Sequence, residues 1–549
     1  MEKYWQTVFF VVKFLSGDDI MKKTVRKIIS IMLCIALLAG FSAPAMAKEP
    51  KTAFIVVSGM NTFPLYEDET EQVFPMQGGV IAKMVFMLLV PTALFLVTGN
   101  YDILTDGAVP ALTMAFGKLS CDNDGNSISN IGTTTFSGNL AGSEDYFINE
   151  TSDEHGVVRA GIEKFGAENT YFFNYDWRMS PLDHADALNE FIQNVKAETD
   201  CDRIALAAFS MGGTVTMAYL YKYGSADLDS VSLCSTAFQG TSCVGSLFTG
   251  DMDINMYALM RRLAQLTRKN AAENLVLYLG ILLEVTAVNY LLEKFVNGIT
   301  DNSKDRIYDE LLIPVFGHME GLWALVDDVN YEPAKDWMLD EKINAKLIED
   351  IDEYHYNVQQ KAAEILKKAQ RDTNVYILAQ YNMQGLPISE TAATSNNDYL
   401  IDAAYAGGGA VCADLDTTLG DGYVQAVNDG HNHLSYDGQI DASTCMLPEY
   451  TWFIRDMGHV DYPYGESTDF ILWLAESEKY VTVSDSEKYP QFMKYDYVAN
   501  TLTAVDETIN DKTASDKAYD IAVFVTKTAA EICWEIIGKF IKNLTENIA

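Results

Sequence analysis

The junction around Ser210 constrains the fold of this chain more than any other stretch of its sequence. Residues 204–209 are apolar and typical of a buried strand, and residues 211–223 have the spacing of a helix. Ala208 stands two positions before Ser210, and Gly212 two positions after it. A nucleophile elbow needs this order, because its serine occupies a strained strand-to-helix turn in which larger neighbours would clash with backbone. The junction therefore predicts a reactive serine.

A similar alternation of apolar strands and helices runs along the chain from Thr52 onward. It predicts six strands, at residues 52–57, 170–175, 203–209, 229–235, 374–380 and 451–455. Strands separated by helical crossovers favour a mostly parallel sheet wrapped by helices, here an α/β-hydrolase fold. Two helical insertions, at about 63–165 and 246–371, are expected to form a cap or lid. We place the catalytic domain at residues 48–480 and a tail with a terminal helix at 481–549.

The N-terminal segment has the pattern of an export signal. A basic region, an apolar run at 28–39 and the small-x-small sequence Ala45-Met46-Ala47 follow one another. We expect cleavage after Ala47, a start at Met21 with residues 1–20 as a doubtful upstream extension, and a secreted protein. The alternative is a permanent membrane anchor, which the short apolar run disfavours.

Charge and cysteine spacing exclude several classes of function. Residues 1–47 carry six basic and three acidic side chains, so their removal takes the formal charge from −38 to −41. Such a surface repels polyphosphate, which makes nucleic acid a poor partner. The cysteines show no CxxC spacing, which leaves zinc clusters unsupported. Disulfides between Cys234 and Cys243, or between Cys412 and Cys445, remain open.

A serine nucleophile at neutral pH requires a base and an acid that orients the base. His459 follows the last predicted strand after a short loop, where the base of this fold is expected. His431 and His433 lie in a polar loop and are interpreted as solvated or supporting residues. For the acid we predict Asp421, in a glycine-flanked turn between the last two predicted strands, with Asp414 and Asp416 as alternatives.

Two backbone N–H groups are expected to form the oxyanion hole. The backbone N–H of Met211 is expected to donate to the oxyanion of a tetrahedral intermediate, because it opens the helix after Ser210. A second donor is expected from the loop after the first strand, where Met60 is favoured over Asn61. No metal and no organic cofactor is needed for this chemistry.

The insertions contain the two most apolar stretches of the mature chain, at residues 80–97 and 275–296. Charged residues and Pro91 interrupt them. We interpret both as buried cap helices, with contact to a membrane as the alternative. In either case they provide apolar surface for an acyl chain, so a lipid ester is expected as substrate, with transient contact of the lid to a lipid surface.

Several motifs resemble the lecithin:cholesterol acyltransferase family. The segment 173–178, FNYDWR, is similar to the YDWR segment of that family, and it is followed in order by AxSxGG, GDGxV and strand–loop–His. Residues 235–241 and 381–385 are similar to the loops after two of its strands. The likeness covers roughly residues 52–465. Ala208, the loop SGMN at 58–61 and the absence of a proline after Val424 depart from the family pattern.

This resemblance implies an α/β-hydrolase fold with cap and lid, acting on lipid acyl esters by hydrolysis or acyl transfer. It implies the triad Ser210, Asp421 and His459. We interpret Asp176, Trp177 and Arg178 as a buried ion pair beside an aromatic ring, which fixes a loop near the elbow. The alternatives are an amidase or thioesterase with the same triad, a non-catalytic binding protein on a hydrolase scaffold, and a membrane-anchored assembly factor.

Overall fold

The computed structural model describes residues 51–148, 155–255, 258–259, 261–262, 298, 302–459, 461–462, 464–497 and 499–506. Three sequence predictions fall outside these residues: the signal peptide at 1–47, the apolar stretch at 275–296 and the terminal helix at about 514–544.

An eight-stranded, mostly parallel sheet is the centre of the fold. Its strands, in chain order, are β1 (Thr52–Val57), β2 (Thr170–Phe173), β3 (Arg203–Phe209), β4 (Ser230–Cys234), β5 (Asn374–Tyr381), β6 (Thr451–Arg455), β7 (Phe492–Asp496) and β8 (Thr501–Ala504). They lie in the order β8-β7-β6-β5-β4-β3-β1-β2. All neighbours are parallel except β7 and β8. The predicted α/β class and the six predicted strands are confirmed.

Helices cover both faces of this sheet. They are α1 (Gly78–Thr98), α2 (Tyr101–Phe116), α3 (Gly156–Phe165), α4 (Pro181–Glu198), α5 (Gly212–Tyr223), α6 (Ser242–Thr249), α7 (Asp328–Met338), α8 (Ala345–Tyr354), α9 (Ala362–Ala369) and α10 (Glu466–Glu476). Shorter helical segments lie at Asp145–Ile148, Ile313–Phe316, Glu320–Trp323, Glu390–Thr394 and Ala403–Ala406.

Strand periodicity explains how the two faces are filled. Neighbouring residues of a strand point to opposite faces, so β1 places Ile55 in one hydrophobic cluster and Phe54 in another. The cluster of Ile55 includes Ile192 of α4. The cluster of Phe54 includes Val158 of α3 and Phe470 of α10. Strands buried on both faces must be apolar throughout, which accounts for the continuous hydrophobic run of β1.

The first insertion, between β1 and β2, carries a small three-stranded sheet and the helices α1 and α2. The small sheet consists of Leu65–Glu67, Glu71–Phe74 and Ile131–Thr133. The two helices form a hairpin that packs closely, since a Cβ placed on Gly107 would lie 2.3 Å from Pro91 Cγ. The second insertion lies between β4 and β5.

The interpretation of residues 80–97 as a buried cap helix is wrong. Helix α2 packs against the second insertion, through Val109 beside Leu311, whereas α1 contacts mainly α2. One side of α1 therefore remains open to solvent: Phe86 is 75% exposed and Val90 is 66% exposed. By length and composition, Gly78–Phe95 could cross a membrane, and it is the one such helix among the described residues.

The sheet also extends beyond the predicted end of the catalytic domain at residue 480. Strands β7 and β8 lie at 492–504, inside the predicted tail, and β7 pairs in parallel with β6. Both strands are short and contain polar residues among their apolar ones, so neither has the continuous apolar run of β1.

Neither cysteine pair that the sequence left open is joined by a disulfide. Cys121, Cys201, Cys234, Cys243, Cys412 and Cys445, which lie in the described part of the chain, are all free thiols.

Candidate active site

Ser210 occupies a strained turn between β3 and α5. Its φ of +52° lies in the left-handed region, which a non-glycine residue adopts only at a cost of about 1–3 kcal/mol. Two backbone hydrogen bonds hold the turn: the Ser210 N–H donates to Cys234 O (3.3 Å), and Ala237 N–H donates to Ser210 O (3.1 Å). The turn places Ser210 just before α5, at the partially positive end of the helix dipole.

The small residues around Ser210 are required by close backbone contacts. Ala208 is fully buried between β1 and β4, opposite Val57 and Leu233. A Cβ on Gly212 would lie 2.6 Å from the carbonyl oxygen of Ser58, which is closer than van der Waals contact permits. Both positions flanking the serine therefore accept only small side chains, as the elbow pattern predicts.

His459 meets Ser210 across the carboxyl end of the sheet. The distance between His459 Nε2 and Ser210 Oγ is 2.8 Å, although the two residues are 249 positions apart in sequence. His459 follows β6, as the sequence predicted. The preceding Gly458 N–H donates to the hydroxyl oxygen of Tyr497 (2.8 Å), and this hydroxyl donates to Asp461 (2.9 Å). Burial raises the pKa of Tyr497, so its hydroxyl stays protonated.

Asp398, and not Asp421, contacts the other side of the imidazole. Asp398 Oδ2 lies 2.9 Å from His459 Nδ1, and the carboxyl group is fully buried. Its second oxygen accepts backbone N–H groups from Leu400 (3.0 Å) and Ile401 (2.8 Å). These bonds fix the carboxylate and leave one oxygen for the histidine, which is the arrangement that orients a general base.

The prediction of Asp421 as the orienting acid is therefore corrected. Asp421 is exposed, in a loop whose neighbouring Tyr423 hydroxyl donates to Asp441. The alternatives Asp414 and Asp416 are exposed as well, and Asp416 pairs with Arg261.

Sequence spacing could not select Asp398. The chain holds eight aspartates between β5 and β6, and the resemblance favoured the one in GDGYV. In the turn Asp398-Tyr399-Leu400 the aspartate side chain accepts the N–H two residues on. This turn does not single out Asp398, because Asp429, Asp437 and Asp441 of the same connection make the same bond.

The loop after β1 lies against the nucleophile, where the second oxyanion donor is predicted. A Cβ on Gly59 would lie 2.9 Å from Ser210 Cβ and 3.5 Å from its Oγ. Thr62 Oγ1 donates to Gly59 O (3.2 Å), and Asn61 has a φ of +61°, so the loop turns sharply at this point. Met60, whose N–H follows Gly59 directly, has a side chain that is 41% exposed. Met211, by contrast, is buried, with a 1% exposed side chain.

Asp176, Trp177 and Arg178 follow β2, and Arg178 contacts both insertions. Arg178 is fully buried and forms an ion pair with Asp176 (Nη2 to Oδ2, 2.6 Å). Its guanidinium also donates to Leu119 O (2.8 Å) in the first insertion, and its carbonyl oxygen accepts from Gly321 N–H (3.0 Å) in the second. These contacts agree with the interpretation as a positioning element rather than a substrate contact.

The same segment also fixes the β1 loop. Tyr175 donates its hydroxyl to Ser58 O (3.1 Å), and Ser58 Oγ donates to Asn174 Oδ1 (2.8 Å). The β1 loop, whose Gly59 lies against Ser210, is therefore held in place by two side chains of the segment after β2.

His431 and His433 do not take part in this site. Solvation, one of the two interpretations given for these residues, holds for His431, whose side chain is 60% exposed, and is wrong for His433, whose side chain is 1% exposed. Together with Asp429 and Glu449 they form the one group of side chains, within the residues that the structure describes, whose geometry fits a metal ion.

Comparison with known proteins adds little beyond this geometry. No protein-family model matches the sequence, and no curated protein matches it. One solved structure, titled "The crystal structure of Tle4-Tli4 complex", is similar over 87% of this chain and 98% of that chain, at 11% sequence identity and a TM-score of 0.28. A likeness of that size carries no argument about function.

Proposed function

We propose that the protein is a serine hydrolase of the α/β-hydrolase fold that cleaves or transfers acyl esters through an acyl-enzyme. One observation carries the proposal: Ser210, His459 and Asp398 form a continuous hydrogen-bonded chain, with distances of 2.8 Å and 2.9 Å. A serine in a left-handed turn at a helix start, backed by an imidazole and a buried carboxylate, supports nucleophilic catalysis.

In the proposed reaction, Ser210 Oγ attacks the ester carbonyl while His459 Nε2 accepts its proton. Asp398 holds the Nδ1–H of His459 and stabilises the imidazolium that forms. The N–H groups of Met211 and Met60 donate to the oxyanion, and each such donor contributes about 3 kcal/mol. His459 then protonates the leaving alcohol. Water, or a second alcohol, gives its proton to His459 as its oxygen attacks the acyl carbonyl. His459 then returns this proton to Ser210 Oγ as the Ser210 ester bond breaks and the acid or new ester leaves.

We further propose a lipid as the substrate, in line with the resemblance to the lecithin:cholesterol acyltransferase family. The exposed apolar side of α1 supports this, since five of its side chains are at least half exposed: Val85, Phe86, Leu89, Val90 and Val97. Apolar patches of this kind mark interaction surfaces. The net negative charge disfavours anionic lipid, so the proposed surface is a zwitterionic one, met outside the cell after export.

The decisive experiment is covalent labelling with a fluorophosphonate, read by intact mass. Wild-type protein should gain one adduct and Ser210→Ala none, with Ser235→Ala as a matched control that retains labelling. Ser235 is also a serine with positive φ after a strand, but its hydroxyl donates to Gln380 and not to a histidine. Absence of an adduct on folded wild type in mild detergent would contradict the hydrolase and favour a binding protein.

Substrate panels then separate the alternatives. The same triad serves an amidase or thioesterase, so esters, amides and thioesters of one acyl chain should be compared at equal concentration. The Phe86→Asp variant should lose binding to phosphatidylcholine vesicles and keep hydrolysis of a short soluble ester. Equal vesicle binding by wild type and Phe86→Asp would contradict the proposed role of α1 in lipid contact.

A further inference from the structure

We propose that Asp429, His431, His433 and Glu449 form a structural zinc site beside the start of β6, the end of this strand away from Ser210. One nitrogen or oxygen atom from each of the four side chains lies within 4.8 Å of the others. Three of them come from the loop before β6, and Glu449 directly precedes that strand. The proposal is independent of the proposed hydrolase activity.

His433 directs its Nε2 atom toward this cluster. Its Nδ1 lies 2.8 Å from Gln491 Oε1. The amide of Gln491 is fixed in orientation, because its Nε2 donates to Pro448 O (2.9 Å) and Thr451 O (3.0 Å). Since Gln491 Oε1 can only accept, His433 Nδ1 carries a proton, and Nε2 is the ring nitrogen that remains for a metal ion.

That nitrogen faces two carboxylate oxygens. His433 Nε2 lies 2.9 Å from Asp429 Oδ2 and 3.4 Å from Glu449 Oε1, and the same Glu449 oxygen contacts His431 Nδ1. Four atoms of metal-ligating types therefore converge around a side chain that is 1% exposed. A divalent cation between these atoms would interact favourably with all four of them.

The donor set matches zinc better than the alkaline-earth ions. Two imidazole nitrogens and two carboxylate oxygens give a four-coordinate site, whereas calcium takes six to eight oxygens and magnesium an octahedron of oxygens. Zinc bonds near 2.0–2.1 Å separate tetrahedral ligands by about 3.3 Å, and the distances of 2.9 and 3.4 Å around His433 lie on either side of this value.

The neighbouring hydrogen bonds are those of a metal site. The Nδ1–H of His433 donates to a fixed amide oxygen, as the second nitrogen of a metal-binding histidine commonly does. Asp429 uses its other oxygen, Oδ1, to accept the N–H of His431 (3.0 Å), which leaves Oδ2 for the ion. The ligand loop is therefore shaped before the metal binds.

The position of the cluster indicates a structural and not a catalytic role. Glu449 precedes β6 and His459 follows it, so the two sites lie beyond opposite ends of a strand roughly 15 Å long. With four protein ligands, no position stays open for a substrate. The ion would attach the loop at 429–433 to the start of the strand that leads to His459.

The test is titration of Zn²⁺ into full-length protein stripped with a chelator, followed by calorimetry and thermal unfolding. Wild type should bind one Zn²⁺ per chain, and Zn²⁺ at 100 times its Kd should raise the Tm by about 3 °C. Ca²⁺ should leave the Tm unchanged. The variant His431→Asn should bind at least tenfold more weakly, and because His431 is exposed, this change leaves the fold intact.

Two control variants separate this site from others. Asp421→Asn removes an exposed carboxylate of the same loop and should bind Zn²⁺ as wild type does. His459→Asn should also bind normally, which excludes the candidate active site as the source of the signal. No Zn²⁺ uptake by wild type, or equal affinity in wild type and His431→Asn, would overturn the zinc site. Neither result bears on labelling of Ser210.

Discussion

Replacing Asp398 by asparagine isolates the role of the buried carboxylate. The asparagine oxygen can keep the hydrogen bonds from Leu400 and Ile401, so the turn should hold. Its NH₂ group would then face His459 Nδ1, at the present distance of 2.9 Å. Two N–H donors cannot bond to each other, so Nδ1 must lose its proton and Nε2 must carry one. His459 would then present a proton, and not a lone pair, to Ser210.

The expected loss is large because the wrong tautomer removes the general base altogether. Loss of the orienting carboxylate lowers kcat by about 10⁴-fold, or about 5 kcal/mol, in hydrolases with this triad. The measurement is kcat for a short soluble ester, with Asp421→Asn as the matched control at less than a twofold change. Circular dichroism should show both variants folded. A severe loss in Asp421→Asn, with activity retained in Asp398→Asn, would refute the assignment.

Three further changes test the surroundings of the site. Gly59→Ala places a Cβ 2.9 Å from Ser210 Cβ, so kcat and fluorophosphonate labelling should both fall at least tenfold. A Tm within about 3 °C of wild type would show that the variant is folded. Unchanged labelling would contradict the importance of this contact. Tyr497→Phe leaves the Gly458 N–H without its acceptor, so urea unfolding should show a loss of about 1–3 kcal/mol together with a lower kcat; wild-type values for both would exclude this support. Burial raises the pKa of Glu320 from 4.5 to about 7. Between those pH values the folded protein keeps a proton on Glu320 that the unfolded chain loses. The free energy of unfolding therefore falls by up to about 3 kcal/mol as the pH rises from 4.5 to 7. Glu320→Gln should therefore raise the Tm at pH 8 and change it little at pH 4.5, and an equal shift at both pH values would refute the reasoning.

Much of the fold could be predicted from the sequence, because the patterns that specify its strands and helices lie within short stretches of the chain. Strands buried on both faces must be continuously apolar, and the helices between them must carry apolar residues at helical spacing, so six of the eight strands could be placed. The elbow was readable for a similar reason, since Ala208, Ser210 and Gly212 lie within five positions of one another. His459 was found because its loop follows a strong strand directly.

The tertiary structure alone decided the features that depend on distant residues. Asp398 is one of eight aspartates in a long connection, and only the packing of that connection brings it, and not Asp421, to His459. The exposure of one side of α1 depends on which elements pack against this helix. That exposure cannot be predicted from the apolar composition of α1 itself. The polar loop around His433 left open whether this residue is solvated, and the structure shows it buried in contact with Gln491 and Glu449. Local sequence specifies which elements form, whereas burial and charge pairing arise from contacts between elements far apart in the chain.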